Sequence, residues 1–164
     1  MYPAGGAVLP ARNLNGLWTH FRNFFAANTA RVVTARQSGG GWEGWLQVEL
    51  WTYVQAQDPG FGLVREQFYP DNVTRADFGL GNLRVELKAQ TLNESVAAFV
   101  TRVDADVEKM ERIVEGSLGY VVAVYWGQNQ FNNQTDVVEV QYAPFRVCRM
   151  FVEDVNDDSM SDST

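Results

Sequence analysis

The sequence is short of the residues that many functional sites depend on. Its 164 residues include one cysteine, Cys148, and one histidine, His20. A single cysteine excludes a disulfide framework within the chain and a zinc site built from several cysteines. A single histidine leaves almost no basis for a histidine-rich metal site or a histidine-based catalytic triad. No apolar run is long enough to cross a bilayer, so we expect no membrane segment.

Positive charge is also scarce. The chain has 13 basic against 20 acidic residues, a net charge of −7, which argues against a polybasic nucleic-acid coat protein. Five acidic residues lie beyond residue 152, so residues 1–152 carry 15 acidic against 13 basic residues. Only Lys88 and Lys109 are lysines; the other basic residues are arginines. The first residues lack the pattern of a signal peptide, and we expect a soluble intracellular protein of the cytoplasm or nucleus.

The sequence contains enough apolar residues to form one hydrophobic core. Hydrophobic residues make up 46% of the chain and aromatic residues 13%. Helical periodicity predicts helices near residues 13–27, 42–55 and 93–115. Extended segments are predicted at 63–69, on both sides of Gly81-Asn82, and at 120–126, 137–142 and 145–152. This order predicts an α/β fold with a mixed sheet and helices on both faces.

The same pattern sets the expected domain limits. Residues 1–12 are rich in Gly, Pro and Ala and are predicted to be a flexible N-terminus. Residues 13–152 are predicted to form a single domain. Residues 153–164 are predicted to be a disordered acidic tail, because they combine high negative charge with few apolar residues.

The segment 75–90, RADFGLGNLRVELKAQ, carries the most informative polar residues. Gly81-Asn82 suits a two-residue type II′ hairpin loop, which would place Asp77 directly opposite Glu86, with Lys88 on the same face. Two carboxylates facing each other are destabilising unless a cation lies between them. Hard oxygen ligands with open water positions suit Mg²⁺ or Mn²⁺, and a neighbouring lysine can position or deprotonate a water. The alternative is a surface hairpin whose polar face happens to carry these residues.

The helix predicted at 42–55 offers a third carboxylate. On a helical wheel Glu49 falls within an apolar arc, where a carboxylate needs a cation, a hydrogen-bond network or a water-filled cleft. The arc is formed by Trp42, Trp45, Leu46, Leu50 and Tyr53. We therefore prefer Glu49 as the third acidic group, with a salt bridge to an arginine as the alternative. Glu43 and Gln47 lie at the edge of the arc and are kept as supporting candidates.

Together these residues resemble the PD-(D/E)XK, or restriction-endonuclease-like, nuclease superfamily. The matching residues are Glu49 or Glu43 on the helix, Asp77 in RADFGL, and Glu86-Leu87-Lys88 in VELKAQ. The resemblance spans about residues 42–126. It implies an αβββαβ core with a mixed central sheet flanked by helices, within the α/β class expected above.

The resemblance also implies roles for individual residues. Asp77, Glu86 and the backbone carbonyl of Leu87 would bind Mg²⁺ or Mn²⁺, with Glu49 as a further candidate ligand. Asp77, Glu86, Lys88 and Glu49 would be the catalytic residues, with Lys88 orienting or activating the attacking water. Gln90, Glu43 and Gln47 would support them. The implied function is a metal-dependent nuclease that hydrolyses phosphodiester bonds, in DNA rather than RNA, with a homodimer left open.

Two other functions stay open. One is a non-catalytic member of the same fold that binds nucleic acid or serves as a scaffold within a larger assembly. The intact set of Asp77, Glu86 and Lys88 argues against it. The other is an unrelated α/β interaction protein, in which the carboxyl groups of Asp77 and Glu86 would point into solvent and lie far apart.

Overall fold

The computed structural model describes residues 8–113, 118–128, 131 and 137–152. These residues form, in order, α1 (Leu14–Ala27), α2 (Thr29–Gln37), α3 (Trp42–Gln57), β1 (Val64–Phe68), β2 (Arg75–Leu80), β3 (Leu83–Ala89), α4 (Val96–Ile113), β4 (Gly119–Trp126), β5 (Val137–Gln141) and β6 (Phe145–Val152). The first seven residues of the predicted flexible N-terminus and the predicted acidic tail, 153–164, lie outside the described residues.

The six strands form one mixed sheet in the order β1-β2-β3-β4-β6-β5. Strands β1, β2 and β3 make an antiparallel meander. Strand β4 then pairs parallel to β3, which requires a crossover, and α4 provides it. Strand β6 pairs antiparallel to both β4 and β5. The prediction of a mixed sheet flanked by helices is confirmed.

The helices divide between the two faces of the sheet. Helices α1, α2 and α3 pack on one face, where Phe21 and Leu46 lie in the same buried cluster as Val85, Leu87 and Val122. Helix α4 packs on the other face, and its buried residues meet alternate residues of β4. Because β4 is covered on both faces, its apolar run is continuous, as expected for a buried parallel strand.

Helix α2 was not predicted from the sequence. Its residues, TARVVTARQ, carry no apolar stripe, and only Val32 is buried. Helix α4 also begins later than predicted, at Val96, because the Ser95 hydroxyl accepts a hydrogen bond from the Ala98 N–H and so caps the helix. Neither feature produces a periodic apolar pattern in the sequence.

The predicted hairpin register is confirmed in the paired part of β2 and β3. Leu80 pairs with Leu83, and Phe78 pairs with Val85. Gly81 has a φ of 61°, while Asn82 is not among the residues with positive φ, as a type II′ turn requires. The ladder stops at Phe78, so the residue before it, Asp77, is the point where β2 separates from β3.

Strand β2 is also irregular on its other side. Its register with β1 pairs Arg65 with Phe78 and Gln67 with Ala76, and leaves out Asp77 and the residue facing it, Glu66. Glu66 has a φ of 56°, which is uncommon for a residue with a side chain. The sheet is therefore interrupted around Asp77 on both edges of β2.

Candidate functional site

Asp77 occupies the gap that opens between β2 and β3. Its Oδ2 accepts a hydrogen bond from the backbone N–H of Leu87 at 2.7 Å, and its Oδ1 accepts one from Gln47 Nε2 at 3.1 Å. The N–H and C=O of a strand residue point to the same edge of the strand. The Leu87 carbonyl, the predicted metal ligand, therefore points toward the same gap as Asp77.

Glu86 lies beside Asp77, and the structure brings the two carboxyl groups together. Burial of Asp77, the charge of Glu86 and a side-chain hydrogen bond with Glu86 raise the pKa of Asp77 to about 7, although the Leu87 N–H opposes the shift. The Asp77 carboxyl therefore favours its protonated form more than an ordinary aspartate does. The arrangement differs from that expected of the unrelated interaction protein, in which these two groups would lie far apart.

Glu86 is held by two donors on the α4 side of the sheet. It is 3% exposed, and its Oε1 accepts hydrogen bonds from the Tyr69 hydroxyl at 2.8 Å and from Lys109 Nζ at 2.7 Å. Burial and the charge of Glu86 raise the pKa of Tyr69, so this phenol stays protonated and donates. Neither Tyr69 nor Lys109 was predicted as a site residue.

Lys88 lies on the same face as Glu86, as predicted. Its Nζ is 2.9 Å from Asp106 Oδ2 and 3.7 Å from Glu43 Oε1. Burial lowers the pKa of Lys88, but Glu43, Asp106 and Asp77 outweigh the burial and raise it. Lys88 is therefore a cation at neutral pH, which suits it to orienting a water or a phosphate oxygen rather than to removing a proton.

Glu43 is the carboxylate that α3 contributes. It lies in the first turn of the helix, near the positive end of the helix dipole, and its Oε2 accepts a hydrogen bond from the Ala89 N–H at 2.8 Å. Arg102 Nη1 is 3.6 Å from the same oxygen. Gln47 follows Glu43 by four residues and so lies on the same side of the helix. Glu43 and Gln47, the two supporting candidates, therefore both contact residues at the gap, Glu43 through Lys88 and Ala89 and Gln47 through Asp77.

The expectation for Glu49 has to be corrected. Its Oε2 forms an ion pair with Arg31 Nη2 at 2.8 Å, and 25% of its side chain is exposed. The buried line of α3 runs along Trp42, Leu46, Leu50 and Val54. Glu49 lies beside this line, on the flank that meets α2, and the unpredicted helix α2 supplies its partner. The salt bridge to an arginine, which was the alternative, is what the structure contains.

Gln90 has a structural role. Its Oε1 accepts a hydrogen bond from the Trp126 N–H at 2.8 Å, and its Nε2 donates to the Glu94 carbonyl at 3.1 Å. These bonds tie the end of β3 to the end of β4 and to the segment before α4. Gln90 supports the site by holding the end of the strand that carries Glu86 and Lys88.

Helix α4 brings two charged residues, Asp106 and Lys109, that were not predicted as site residues. Asp106 pairs with Lys88, and Lys109 pairs with Glu86; Lys109 Nζ is also 3.6 Å from Asp106 Oδ1. Both residues border the buried stripe that contains Val103 and Met110. Their position next to that stripe was the signal that could have identified them, because a charged residue there meets the sheet.

The possible ligands for Mg²⁺ at the gap are the carboxylates of Asp77 and Glu86 and the backbone carbonyl of Leu87. Within the ranges that the structure describes, no group of three His, Cys, Asp or Glu residues is arranged to hold a metal ion. Asp77 and Glu86 nevertheless provide two adjacent carboxylates, and the Leu87 carbonyl points to the same gap. Mg²⁺ is commonly bound through one or two carboxylates while it keeps several waters, so the residues present fit it.

Three further findings complete the description. Among the described residues, no helix is both long and apolar enough to cross a membrane. The side chains that meet at the gap belong to four elements, with Glu43 and Gln47 on α3, Asp77 on β2, Glu86 and Lys88 on β3, and Asp106 and Lys109 on α4. The chain matches no protein-family model, no curated protein and no solved structure.

Proposed function

We propose that the protein is a Mg²⁺-dependent nuclease with a restriction-endonuclease-like core, which hydrolyses phosphodiester bonds in DNA. The observation that carries the proposal is the convergence of Asp77, Glu86 and Lys88 where β2 separates from β3. The element order supports it as well. Helix α3, the meander β1-β2-β3, the crossover α4 and the parallel strand β4 correspond to an αβββαβ core.

The chemistry divides between a metal and the side chains. Asp77, Glu86 and the Leu87 carbonyl would hold Mg²⁺, which when bound supplies a Lewis acid for a phosphate oxygen and lowers the pKa of a coordinated water. Mn²⁺ has similar ligand preferences and is expected to substitute. A bound cation would also stabilise the charged form of both carboxylates, because it relieves the repulsion that favours a proton on Asp77.

Lys88 would act on the phosphate or on the attacking water. In hydrolysis the water oxygen bonds to phosphorus as the bond to the leaving oxygen breaks, and negative charge grows on the phosphate oxygens. A positioned ammonium group stabilises that charge. Glu43 and Asp106 keep Lys88 protonated and hold it toward the gap, so we assign them as positioning residues.

Cationic groups near the end of β3 could receive the DNA backbone. Arg102 is half-exposed and donates to Glu94, close to Glu43. Arg36 lies 3.9 Å from the ring centre of Trp126 and donates to the carbonyls of Gln90 and Thr91. Phosphate contacts of this kind position a nucleic acid without reading its sequence. The resemblance to the nuclease superfamily favours DNA over RNA as the substrate.

The test compares the purified full chain with three variants on plasmid DNA, single-stranded DNA and RNA, in Mg²⁺, Mn²⁺ or EDTA. Asp77→Asn and Lys88→Met should each lower cleavage by about 100-fold or more, since each removes charge that acts in the transition state. Arg112→Met, which removes an exposed charge from α4, is the control and should cleave like the wild type. Cleavage that persists in EDTA, or that is unchanged in Lys88→Met, would contradict the proposal.

One observation favours a second candidate, a non-catalytic nucleic-acid-binding member of the same fold. Glu86 Oε1 accepts hydrogen bonds from both Lys109 and Tyr69, so a cation of the chain itself already pairs with this carboxylate. This candidate predicts salt-dependent DNA binding with no cleavage in any metal. The same assay, read alongside a binding measurement, distinguishes the two.

A further inference from the structure

We infer that Lys109 is a built-in cation that competes with the divalent metal for Glu86, so that loading the site requires its ammonium group to be displaced. The inference rests on the proposed function, because it concerns the same metal site. Lys109 would thus be a regulatory element on α4. Metal would occupy the site only when its free concentration is high enough to displace the Lys109 ammonium from Glu86.

The competition follows from where the Lys109 ammonium lies. Its Nζ is 2.7 Å from Glu86 Oε1, and the Glu86 side chain is only 4% exposed. The same oxygen also accepts the Tyr69 hydroxyl at 2.8 Å. A metal ion that used this carboxylate would approach to about 2.1 Å from an oxygen. Two cations so close repel each other strongly, since the buried site is poorly screened.

Lys109 also has a second carboxylate, that of Asp106, within reach. Its side chain is 29% exposed, and its Nζ is already 3.6 Å from Asp106 Oδ1. A lysine carries its charge on a flexible four-carbon stem, so it can leave Glu86 and keep a carboxylate partner. Lys88 differs, because it is 18% exposed and its carboxylate partners, Asp106 and Glu43, both lie outside the proposed ligand pair. Lys109 is therefore the lysine that metal binding should move.

The first measurement is the affinity for Mn²⁺ or Mg²⁺ alone, by calorimetry, with no nucleic acid present. Lys109→Met should bind the metal about tenfold more tightly than the wild type, because a competing charge is removed. Lys109→Arg keeps the charge and should bind like the wild type. Arg112→Met removes an exposed charge from the same helix and should also bind like the wild type. Thermal unfolding in EDTA shows whether each variant is folded.

A second measurement needs no variant. The chain contains only two lysines, so reductive methylation followed by peptide mass spectrometry reports on Lys88 and Lys109 separately. Adding Mg²⁺ to the wild type should speed methylation of Lys109, because displacement frees its ammonium group from Glu86. The methylation rate of Lys88 should change less, because its carboxylate partners, Asp106 and Glu43, lie outside the proposed ligand pair.

The outcomes separate this inference from the proposed function. If the wild type binds metal, and Lys109→Met binds it no more tightly while Lys109 methylation is unchanged, the competition is refuted and the nuclease proposal stands. If neither protein binds metal, the metal site itself is refuted. Binding that appears only in Lys109→Met would be the strongest support for the competition.

Discussion

The Asp77 carboxylate replaces a neighbouring strand as hydrogen-bond partner of β3, since its Oδ2 accepts the Leu87 N–H at 2.7 Å. Glu43 does the same two residues further on, where its Oε2 accepts the Ala89 N–H at 2.8 Å. Both N–H groups face the side that β2 has left, and unpaired backbone donors in a partly buried place need acceptors. The separation of the two strands therefore brings two carboxylates to the edge of β3, with Asp77 next to Glu86 and Glu43 next to Lys88.

Metal binding at this edge should stabilise the fold. A ligand that binds only the folded chain raises the free energy of unfolding by about 2.7 kcal/mol when its concentration is 100 times the dissociation constant. We expect saturating Mg²⁺ to have an effect of this order on the wild type and none on Asp77→Asn. Urea unfolding at constant ionic strength measures it. Glu108→Gln, an exposed change on α4, should keep the full response; equal responses in wild type and Asp77→Asn would exclude Asp77 as a ligand.

The pH dependence of stability should report on Asp77. Burial and the neighbouring charge of Glu86 raise its pKa from 3.8 to about 7, so the folded chain binds a proton there that the unfolded chain has already released. The contribution of Asp77 to stability then falls as pH rises from about 4 to about 7, because the folded state holds a proton there that the unfolded state does not. Unfolding in EDTA across this range measures the slope. Asp77→Asn should lack this contribution, and an identical slope in both proteins would contradict the assignment.

Glu43 and Glu49 should behave differently although both lie on α3. Glu43→Gln weakens the hold on Lys88 and leaves a poorer acceptor for the Ala89 N–H, so we expect cleavage to fall by about tenfold or more. Glu49→Gln breaks only the ion pair with Arg31 and should leave cleavage unchanged. Initial rates of plasmid cleavage, measured beside thermal unfolding, give the comparison. The reverse order of effects would restore Glu49 as the helix carboxylate of the site.

The sequence was sufficient to predict the hairpin and the residues on it. Gly81-Asn82 sets the turn, and the turn sets the register as far as Phe78 and Val85, where the ladder stops one residue short of Asp77 and Glu86. The apolar run of β4 predicted a strand buried on both faces, as observed. These features depend on contacts between residues close in sequence or on strict alternation, which can be read from a pattern.

The partners that surround the hairpin could not be predicted in the same way. Glu43 reaches the site because α3 crosses the end of β3, and Lys109 does so because α4 crosses the sheet on the other face. Glu49 was misplaced because α2, which has no apolar stripe, supplies Arg31. Tertiary packing decides which neighbour each side of a helix contacts. A helical wheel shows only which residues share a side, so it does not identify that neighbour.

Gln47 should be required for both stability and activity. Its Nε2 donates to the Asp77 carbonyl and to Asp77 Oδ1, each at 3.1 Å, and to Glu66 Oε1 at 3.3 Å, while its Oε1 accepts from Arg65 at 2.8 Å. Gln47→Met keeps the length of the side chain but leaves these groups without their partner, which should cost about 1–3 kcal/mol of unfolding free energy. Cleavage should fall too, because Asp77 loses the donor that orients its carboxylate. Gln57→Met, at the exposed end of α3, is the matched control and should change neither quantity. If Gln47→Met unfolds and cleaves like the wild type, the amide does not position Asp77.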